Sequence, residues 1–507
     1  VTIAQLLHER AQQLGDKKFL ICEGEELTYT EMNERARRVA GNFVARGIGK
    51  GDKVVLLMGN CVEFVAVFLG AGRAGAVVVP VNPMLKPAEL AHIVNNSDAE
   101  TIITIPEFGP LLQQAASLFP RVSRFFVIGE ALEGTESFEE LMRPVECPDV
   151  FAAGSHDDAA IIYTSGTTGQ PKGVVLTHRN YLANARMLVH VISMGPDDRF
   201  LLVLPLFHVN AQVVSILAPL MACADVIVMK KFNPFGILPA IETHRATIMS
   251  AVPTIYSVIC RLMRAEPRDI SSMRVFASGA APLPEKTYLE TQEVLKKPLV
   301  MGYGLTEATC ASAAADADDP IKWNSVGPPL RYTSIRIVDE NGVDVPHGDV
   351  GEILIAGPTV MKGYYKDPEA TREVLRDGWL RTGDLGSFDE DGYLYVVGRL
   401  KDLIIRGGQN IYPTEVENVL STYPGIEECA VVGVEDEQWG QEVLAALKVT
   451  EGLEIDPVTV IDFCRSQIAA YKCPRIVRFV AEFPKTATGK IKKTEIVEAF
   501  AAGSLTT

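Results

Sequence analysis

The chain has 507 residues, enough for two to four domains of ordinary size. Apolar residues make up 47% and charged residues 22%, which excludes a polar, disordered chain. Lys and Arg number 48 against 64 Asp and Glu, a net charge of −16, so no broad basic face is available for nucleic acid. Small anions remain open to such a chain, but only at a few placed cations.

The N-terminal stretch Val1 to Leu20 reads as an amphipathic helix with His8, Glu9, Arg10 and Asp16 on its polar side. It lacks a basic start followed by an apolar run, so it does not read as a signal peptide. From about residue 30 to 305, short β-branched runs alternate with longer amphipathic ones. Strands are expected at 53–57, 76–80, 101–104, 125–128, 159–163, 174–176, 227–229, 247–250, 275–278 and 299–301, and helices at 61–72, 254–263 and 284–295. Repeated β-α-β units with apolar strands imply α/β architecture, a parallel sheet covered by helices. The strands are too many for one sheet, so two sheets are expected.

Ala211 to Met229 is nearly all apolar, but Pro219 and Asp225 interrupt it. It reads as a buried helix followed by a buried strand, so no membrane span is expected. After about Asn324 the text changes to short strands separated by Gly, Asp and Asn turns (334–338, 351–356, 392–397), an antiparallel sheet or β-barrel-like subdomain. A compact α+β pattern follows from Val416, with helices at 414–421 and 457–469 and strands at 428–434, 442–449 and 476–483. The boundary falls near Arg399–Asp402, giving a large N-terminal domain (1–398), a linker (399–402) and a small C-terminal α+β domain (403–507). The last residues, 504–507, carry no lipidation or retention signal.

Nine cysteines are scattered without C-x-x-C spacing, and their number is odd. A disulfide framework or zinc site is not expected, and a reducing, cytoplasmic compartment fits.

The segment Tyr163-Thr-Ser-Gly-Thr-Thr-Gly-Gln-Pro-Lys-Gly173 packs four Ser/Thr hydroxyls, three glycines and one lysine into eleven residues. Glycines let backbone N–H groups turn toward an anion, hydroxyls add donors, and Lys172 adds a point charge. The spacing does not match the Walker pattern, since Pro171-Lys172 stands where Gly-Lys is required. Val174 to Leu176 reads as a strand and Thr177 as the N-cap of the next helix, so the loop is a strand–loop–strand clamp. Gly302-Tyr303-Gly304 is a poor dinucleotide fingerprint, because Glu307 occupies the place of the third glycine.

Taken together with Pro205-Leu-Phe-His208, Ser278-Gly-Ala-Ala-Pro282, Tyr303-Gly-Leu-Thr-Glu307, Leu380-Arg-Thr-Gly-Asp384, Gly398-Arg-Leu-Lys-Asp402, Gly407-Gly-Gln-Asn-Ile-Tyr-Pro413 and Pro484-Lys-Thr-Ala-Thr-Gly-Lys490, this loop makes the chain resemble the adenylate-forming superfamily of acyl-CoA synthetases, luciferase and peptide-synthetase adenylation domains. The resemblance spans nearly the whole chain, with its segments in order. It implies ATP, Mg2+ and coenzyme A as reactants and cofactors, and a carboxylic acid as substrate.

The resemblance also assigns roles. Thr164, Ser165, Gly166, Thr167, Thr168, Gly169 and Lys172 would hold the β- and γ-phosphates. Thr306 would touch the α-phosphate and Glu307 would bind Mg2+, a hard ion suited to carboxylate oxygen. Gly279, Ala280, Ala281 and Tyr303 would form the adenine slot. Asp384 would accept both ribose hydroxyls, and Arg399 would reach ribose or phosphate. Lys490 would bridge the substrate carboxylate and α-phosphate. Asp402 would be the hinge of a mobile C-terminal lid, which alternately presents Lys490 and the Gly407-Gly408 loop, the latter beside pantetheine.

His208 would lie at the acyl pocket and orient the carboxylate or gate the thiol. Asn210, Val214, Val252, Gly302 and Gly304 would line that pocket, which is apolar or small apart from Asn210. Arg331 is the nearest basic candidate for a second carboxylate and lies outside the motif core. A hydrophobic acid, fatty or aromatic, is therefore expected, with Asn210 reading a hydroxyl or ring substituent. An acyl-AMP ligase that loads a carrier-protein thiol in trans is the alternative; a non-catalytic binding protein is disfavoured by intact Lys172, Glu307, Asp384 and Lys490. A homodimer is left open beside the monomer.

Overall fold

The computed structural model describes residues 1–110, 116–146, 151–165, 170–279, 281–317, 322–485 and 491–505. Two eight-stranded sheets carry the first three-fifths of the chain. One runs in the order Ala313–Ala314, Leu299–Tyr303, Val275–Ser278, Ile248–Ala251, Arg199–Leu202, Asp225–Val228, Lys18–Cys22 and Glu25–Thr28. The other begins Gly363–Tyr364, Pro171–Thr177, Asp158–Ser165, Val77–Pro80 and Lys53–Leu57, and continues through Thr101–Thr104 and Arg124–Val127 to Glu136–Ser137. Apart from the antiparallel hairpin of Asp158–Ser165 and Pro171–Thr177, their inner strands are parallel and buried, which is why they read as continuous apolar runs.

One hydrophobic core joins the two sheets through the helices Tyr29–Ala45 and Val62–Ala74. The second of these is apolar nearly all round, as a helix between two sheets must be. A Cβ at its Gly70 would stand 2.5 Å from the Ala36 carbonyl, so glycine sets the helix–helix distance here.

Two of the sequence expectations need correction in detail. The N-terminal helix is Ile3–Leu14, opened by a capping box between Thr2 and Gln5 and closed by Gly15 at φ +54. Lys18 to Leu20, expected to be its end, instead open the strand Lys18–Cys22, which runs parallel to Asp225–Val228; sheet pairing and the burial of Phe19 to Cys22 override the helical period there. The apolar run beginning at Ala211 does form helix then strand, but not as one regular helix. Val209–Gln212 is α-helical, Val213–Leu217 is a π-helical turn, and Ala218–Ala222 is α-helical again. Pro219 lacks an N–H, and the Ala218 N–H reaches back to the Val213 carbonyl across the π turn. Among the described residues no helix is long and apolar enough to cross a membrane.

A third, antiparallel sheet follows, in the order Ser334–Val338, Gly351–Ala356, Trp379–Phe388 and Leu375–Arg376, with Leu394–Arg399 also paired to Trp379–Phe388. A short turn, Leu400–Asp402, leads from it to a fourth sheet. There Ile404–Arg406, Gln409–Ile411, Ile426–Asp436 and Gly440–Val449 are antiparallel, and Ile476–Phe479 adds in parallel. The helices Pro413–Ser421 and Pro457–Gln467 cover one face of this sheet over its own core. Lys493–Ala501 packs against the opposite face through Ile496.

Candidate active site

The segment expected to hold phosphate is rooted in an antiparallel hairpin. Asp158–Ser165 pairs with Pro171–Thr177, Thr164 lies opposite Lys172 and Ser165 opposite Pro171. The expected strand–loop–strand form is thus present at the described ends, whereas Gly166, Thr167, Thr168 and Gly169 lie outside the described residues. Gly173 is required for close packing, since a Cβ there would meet Ile161 at 2.8 Å and the Tyr163 ring at 3.0 Å. Thr177 accepts the Asn180 N–H as the expected N-cap. The helix Pro87–Ser97 braces both strands. Tyr163 Oη donates to Asn96 Oδ1 at 2.6 Å, and His92 Nε2 lies 3.1 Å from the Pro171 carbonyl.

Thr306 and Glu307 occupy a 3-10 turn directly after Leu299–Tyr303, where a strand end opens into a crevice. The turn is held by backbone strain. Thr309 has φ 70 and ψ −59, and Cys310 N–H donates to the Ala308 carbonyl at 2.9 Å. This is a γ-turn of the costly hand, on a β-branched residue. Fully buried Thr309 donates its hydroxyl to the Thr359 carbonyl at 2.5 Å, and Met361 N–H donates to the Glu307 carbonyl at 2.8 Å. A Cβ on Gly304 would fall 1.7 Å from the Cys310 carbonyl, so this crossing also demands glycine.

Glu307 Oε1 accepts the Tyr364 hydroxyl at 3.0 Å, and the Tyr364 ring lies 5.3 Å from Lys172 Nζ. Burial, then the neighbouring Glu307 charge, raises the Tyr364 pKa well above its ordinary value. Tyr364 was absent from the sequence reading. No local signal in Gly363-Tyr364-Tyr365 marks it, because pairing of Tyr364 with Val174 decides its place.

Asp384 and Arg399 face one another across paired strands, with Arg399 Nε 3.1 Å from Asp384 Oδ1. Tyr303 Oη donates to Asp384 Oδ2 at 2.7 Å, and burial followed by the Asp384 charge raises the Tyr303 pKa strongly. The expectation of an Asp384 with both oxygens waiting for ribose is therefore altered: each already has one protein partner, and a sugar hydroxyl would take a remaining lone pair. Gly279 and Gly302 lie at the ends of adjacent strands, and a Cβ on Gly279 would be 3.4 Å from the Gly302 carbonyl. Ala281 is half-buried beside them, while Ala280 lies outside the described residues.

His208 is the N-cap residue of the helix Val209–Gln212, and its ring packs at a tilt against Phe207, centroids 4.4 Å apart. Its Nε2 is buried without a partner among the described residues, and burial lowers its pKa to about 4. Asn210 Nδ2 donates to Cys310 Sγ at 3.6 Å, which brings the apolar-run helix against the Gly304 segment; its Oδ1 is buried and unpartnered among the described residues. Ser278 Oγ, at the end of the neighbouring strand, is in the same condition. Val214 sits in the π turn and Val252 caps the helix Pro253–Ala265, both buried. Arg331 lies over the Tyr332 ring at 5.1 Å and is exposed.

Gly407 and Gly408, at φ +56 and +80, turn the chain between Ile404–Arg406 and Gln409–Ile411. Gly407 N–H donates to the Trp439 carbonyl, and a Cβ at 407 would meet the Trp439 ring at 2.8 Å. Lys490 lies outside the described residues. Of the lysines around it, Lys485 pairs with Glu428, Lys492 with Glu495 and Lys493 with Glu417. Three of the four lysines between 485 and 493 are thus paired with protein carboxylates. Among the described residues no group of three or more His, Cys, Asp and Glu side chains is disposed to hold a metal ion. Glu307 alone fits a Mg2+ held by one carboxylate together with phosphate oxygens, the usual form of such sites.

Residues 7–365 match the AMP-binding enzyme family, and residues 415–490 match the AMP-binding enzyme C-terminal domain. The chain is 39% identical to a feruloyl-CoA synthase of Amycolatopsis, over 94% of both chains. It is 36% identical to a long-chain-fatty-acid–CoA ligase of Mycobacterium tuberculosis, over 94% of this chain and 93% of that one. The ATP-bound structure of MatB from Rhodopseudomonas palustris, 33% identical, superposes with a TM-score of 0.91 over 99% of this chain and all of the other. Apo MatB, equally identical and equally covered, gives 0.81. The chain thus superposes better on the ATP-bound MatB structure than on the apo one. On this evidence the chain belongs to the AMP-binding enzyme family, within the adenylate-forming superfamily.

Proposed function

We propose that the acid taken by this chain is hydrophobic, fatty or aromatic, with a polar substituent near Asn210. The reaction is ATP-dependent acid–CoA ligation. A carboxylate oxygen bonds to the α-phosphorus of ATP, and the bond from that phosphorus to pyrophosphate breaks. The coenzyme A thiol loses its proton and bonds to the acyl carbon, and AMP leaves. AMP is needed because a bare carboxylate has no competent leaving group. Such chemistry requires positioning and neutralisation of charge more than a general base.

The observation that carries the reading is the meeting of Lys172 and Glu307 on either side of Tyr364, at the open end of the sheet beside the Tyr303–Asp384 pair. In this reading Thr164, Lys172 and the loop between them hold the β- and γ-phosphates, and Thr306 reaches the α-phosphate. Glu307 would hold Mg2+, which would offset phosphate charge. Asp384 and Tyr303 fix the ribose and base, and Lys490 bridges carboxylate and α-phosphate. Neutral His208 lies too low in pKa to carry a proton at neutral pH and serves as an orienting or gating ring.

The pocket reading rests on buried apolar Val214 and Val252, the glycines 302 and 304, and the unpartnered amide oxygen of Asn210. Buried polar atoms are rarely left without a partner, so a ligand hydroxyl or amine is the natural complement. Exposed Arg331 offers no buried cation for a second carboxylate. The eight described cysteines are all free, which supports a reducing compartment such as the cytoplasm.

Pyrophosphate exchange across a panel of fatty, aromatic and dicarboxylic acids, followed by assay of thioester with coenzyme A, tests the reading. Exchange is expected with hydrophobic acids, fastest with a hydroxylated or aminated one. Exchange restricted to dicarboxylates would refute the pocket assignment. Robust exchange with no thioester from free coenzyme A would point to a carrier-protein thiol instead.

The segment 399–402 acts in this reading as the hinge between domains 1–398 and 403–507. Asp402→Pro is expected to slow thioester formation more than adenylation; equal rates to the parent in both steps would remove the hinge role.

A further inference from the structure

We propose that Tyr364 is a positioning residue that couples the two phosphate-handling groups: its hydroxyl orients the Glu307 carboxylate, and its ring seats the Lys172 ammonium. The inference rests on the reading of Glu307 as the Mg2+ carboxylate and of Lys172 as a phosphate cation.

The backbone fixes Tyr364 to both partners. Gly363 and Tyr364 pair antiparallel with Val175 and Val174, so Tyr364 rides on the strand that carries Lys172. Lys172 stands two residues from Val174 on that strand, and therefore shares a sheet face and a diagonal position with Tyr364. A long side chain and an aromatic ring reach one another at that spacing, here at 5.3 Å. Three residues earlier, Met361 N–H donates to the Glu307 carbonyl at 2.8 Å, which ties the same segment to the strained turn at Thr309. The segment 361–364 is thus held to the phosphate hairpin by one end and to the Glu307 turn by the other.

The chemistry suits that place. The phenol donates to Oε1 at 3.0 Å. One donor uses one of about four lone-pair sites on a carboxylate and leaves the others for a cation. Partners behind a metal-binding carboxylate fix its orientation, and their loss commonly weakens metal binding 10- to 100-fold. The ring does a different task. Among the described residues Lys172 makes no ion pair, and a carboxylate in its place would cancel its charge. An aromatic face attracts the ammonium without neutralising it, so the charge stays available for phosphate.

Two substitutions separate the functions. Tyr364→Phe keeps the ring and removes the hydroxyl; Tyr364→Leu removes both. Mn2+ binding to the enzyme with ATP, followed by electron paramagnetic resonance in the absence of any acid, reports the metal directly. ATP binding without metal, followed by calorimetry, reports the Lys172 side. Tyr364→Phe is expected to weaken Mn2+ binding about 10-fold or more and to leave metal-free ATP binding within about twofold. Tyr364→Leu is expected to weaken ATP binding as well, and this further loss should vanish in a Lys172→Ala background.

Unchanged Mn2+ binding in Tyr364→Phe, or equal ATP binding in the Phe and Leu variants, would overturn the proposal. Glu307→Gln keeps the underlying reading distinguishable. If that change leaves Mn2+ binding intact, the assignment of Glu307 itself fails. If it abolishes binding while Tyr364→Phe does not, only the role of Tyr364 fails.

Discussion

Tyr303 and Asp384 meet through a 2.7 Å hydrogen bond from the phenol to Oδ2, while Arg399 lies 3.1 Å from the other oxygen. Three motifs separated by up to 96 residues of sequence, at 303, 384 and 399, therefore converge on one carboxylate. Asp384 is 6% exposed, so its oxygens depend on these donors for hydrogen bonds. The Arg399 end of this triad is also the first residue of the segment 399–402, which ties the proposed nucleotide site to the start of the fourth sheet.

Removing the phenol should therefore act on binding and on stability together. Tyr303→Phe leaves the ring but strips one donor from a buried carboxylate, a loss of about 1–3 kcal/mol. A rise in KM for ATP of about tenfold is expected, with a smaller effect on kcat, because the interaction is made before the chemical step. A KM and thermal midpoint equal to those of the parent would show that Asp384 is sustained by Arg399 alone.

Much of this site was legible because its chemistry demands particular residue types at short spacing. The alternating strands announce a helix-covered sheet, and the hydroxyls, glycines and lysine of 163–173 are the ground for proposing a phosphate loop. The missing parts depend on tertiary contact. Nothing local to Gly363-Tyr364 says that Tyr364 will lie between Lys172 and Glu307, since strand pairing with Val174 decides it. Nothing in Lys485 to Lys493 says that Glu428, Glu495 and Glu417 will claim three of the lysines; Glu428 and Glu417 come from elements about 57 and 76 residues earlier. The strand Lys18–Cys22 was hidden for the same reason, because its partner Asp225–Val228 lies two hundred residues away.

Histidine burial sets an acid limit on stability. Burial lowers both His178 and His208 to about 4. Above about pH 6.5 each ring is neutral in the folded and unfolded chain, so neither contributes a pH dependence. As pH falls from about 6.5 toward 4, the unfolded chain takes up protons that the folded chain refuses, and folding stability declines. The ceiling is about 3 kcal/mol for each ring, at 1.36 kcal/mol per pKa unit. Thermal melting followed across that window should show a steeper acid loss in the parent than in His178→Gln, whose side chain does not titrate. Parallel curves would mean that His178 is protonated in the fold.

The γ-turn at Thr309 makes an ordering prediction. Its positive φ costs about 1–3 kcal/mol on a β-branched residue, whereas its hydroxyl bond to the Thr359 carbonyl returns about 1 kcal/mol. Thr309→Ala loses the bond and keeps the strain; Thr309→Gly loses the bond and relieves the strain. The glycine variant is therefore expected to unfold at a higher urea concentration than the alanine variant. The reverse order would show that the turn is not strained in solution. Glycine is also expected to lower adenylation, because Thr306 and Glu307 are held by that turn.

Lys490 can be separated from its neighbours by their partners. Lys485 bridges to Glu428 and shares a strand-like pairing with Ile491, while Lys492 and Lys493 hold Glu495 and Glu417. Those three are engaged in partly exposed ion pairs, each worth about 1 kcal/mol or less. Lys492→Ala and Lys493→Ala should therefore change adenylation by less than about threefold. Lys490→Ala removes the group proposed to stabilise charge developing between carboxylate and α-phosphate, an effect of about 10²–10³ in rate. Thioester formation from supplied acyl-AMP should survive, since that step no longer makes the phosphoryl bond. Pyrophosphate exchange and acyl-AMP consumption measured on the same preparations decide the matter. Equal loss of both half-reactions in Lys490→Ala would assign the residue to domain closure rather than to the adenylation step.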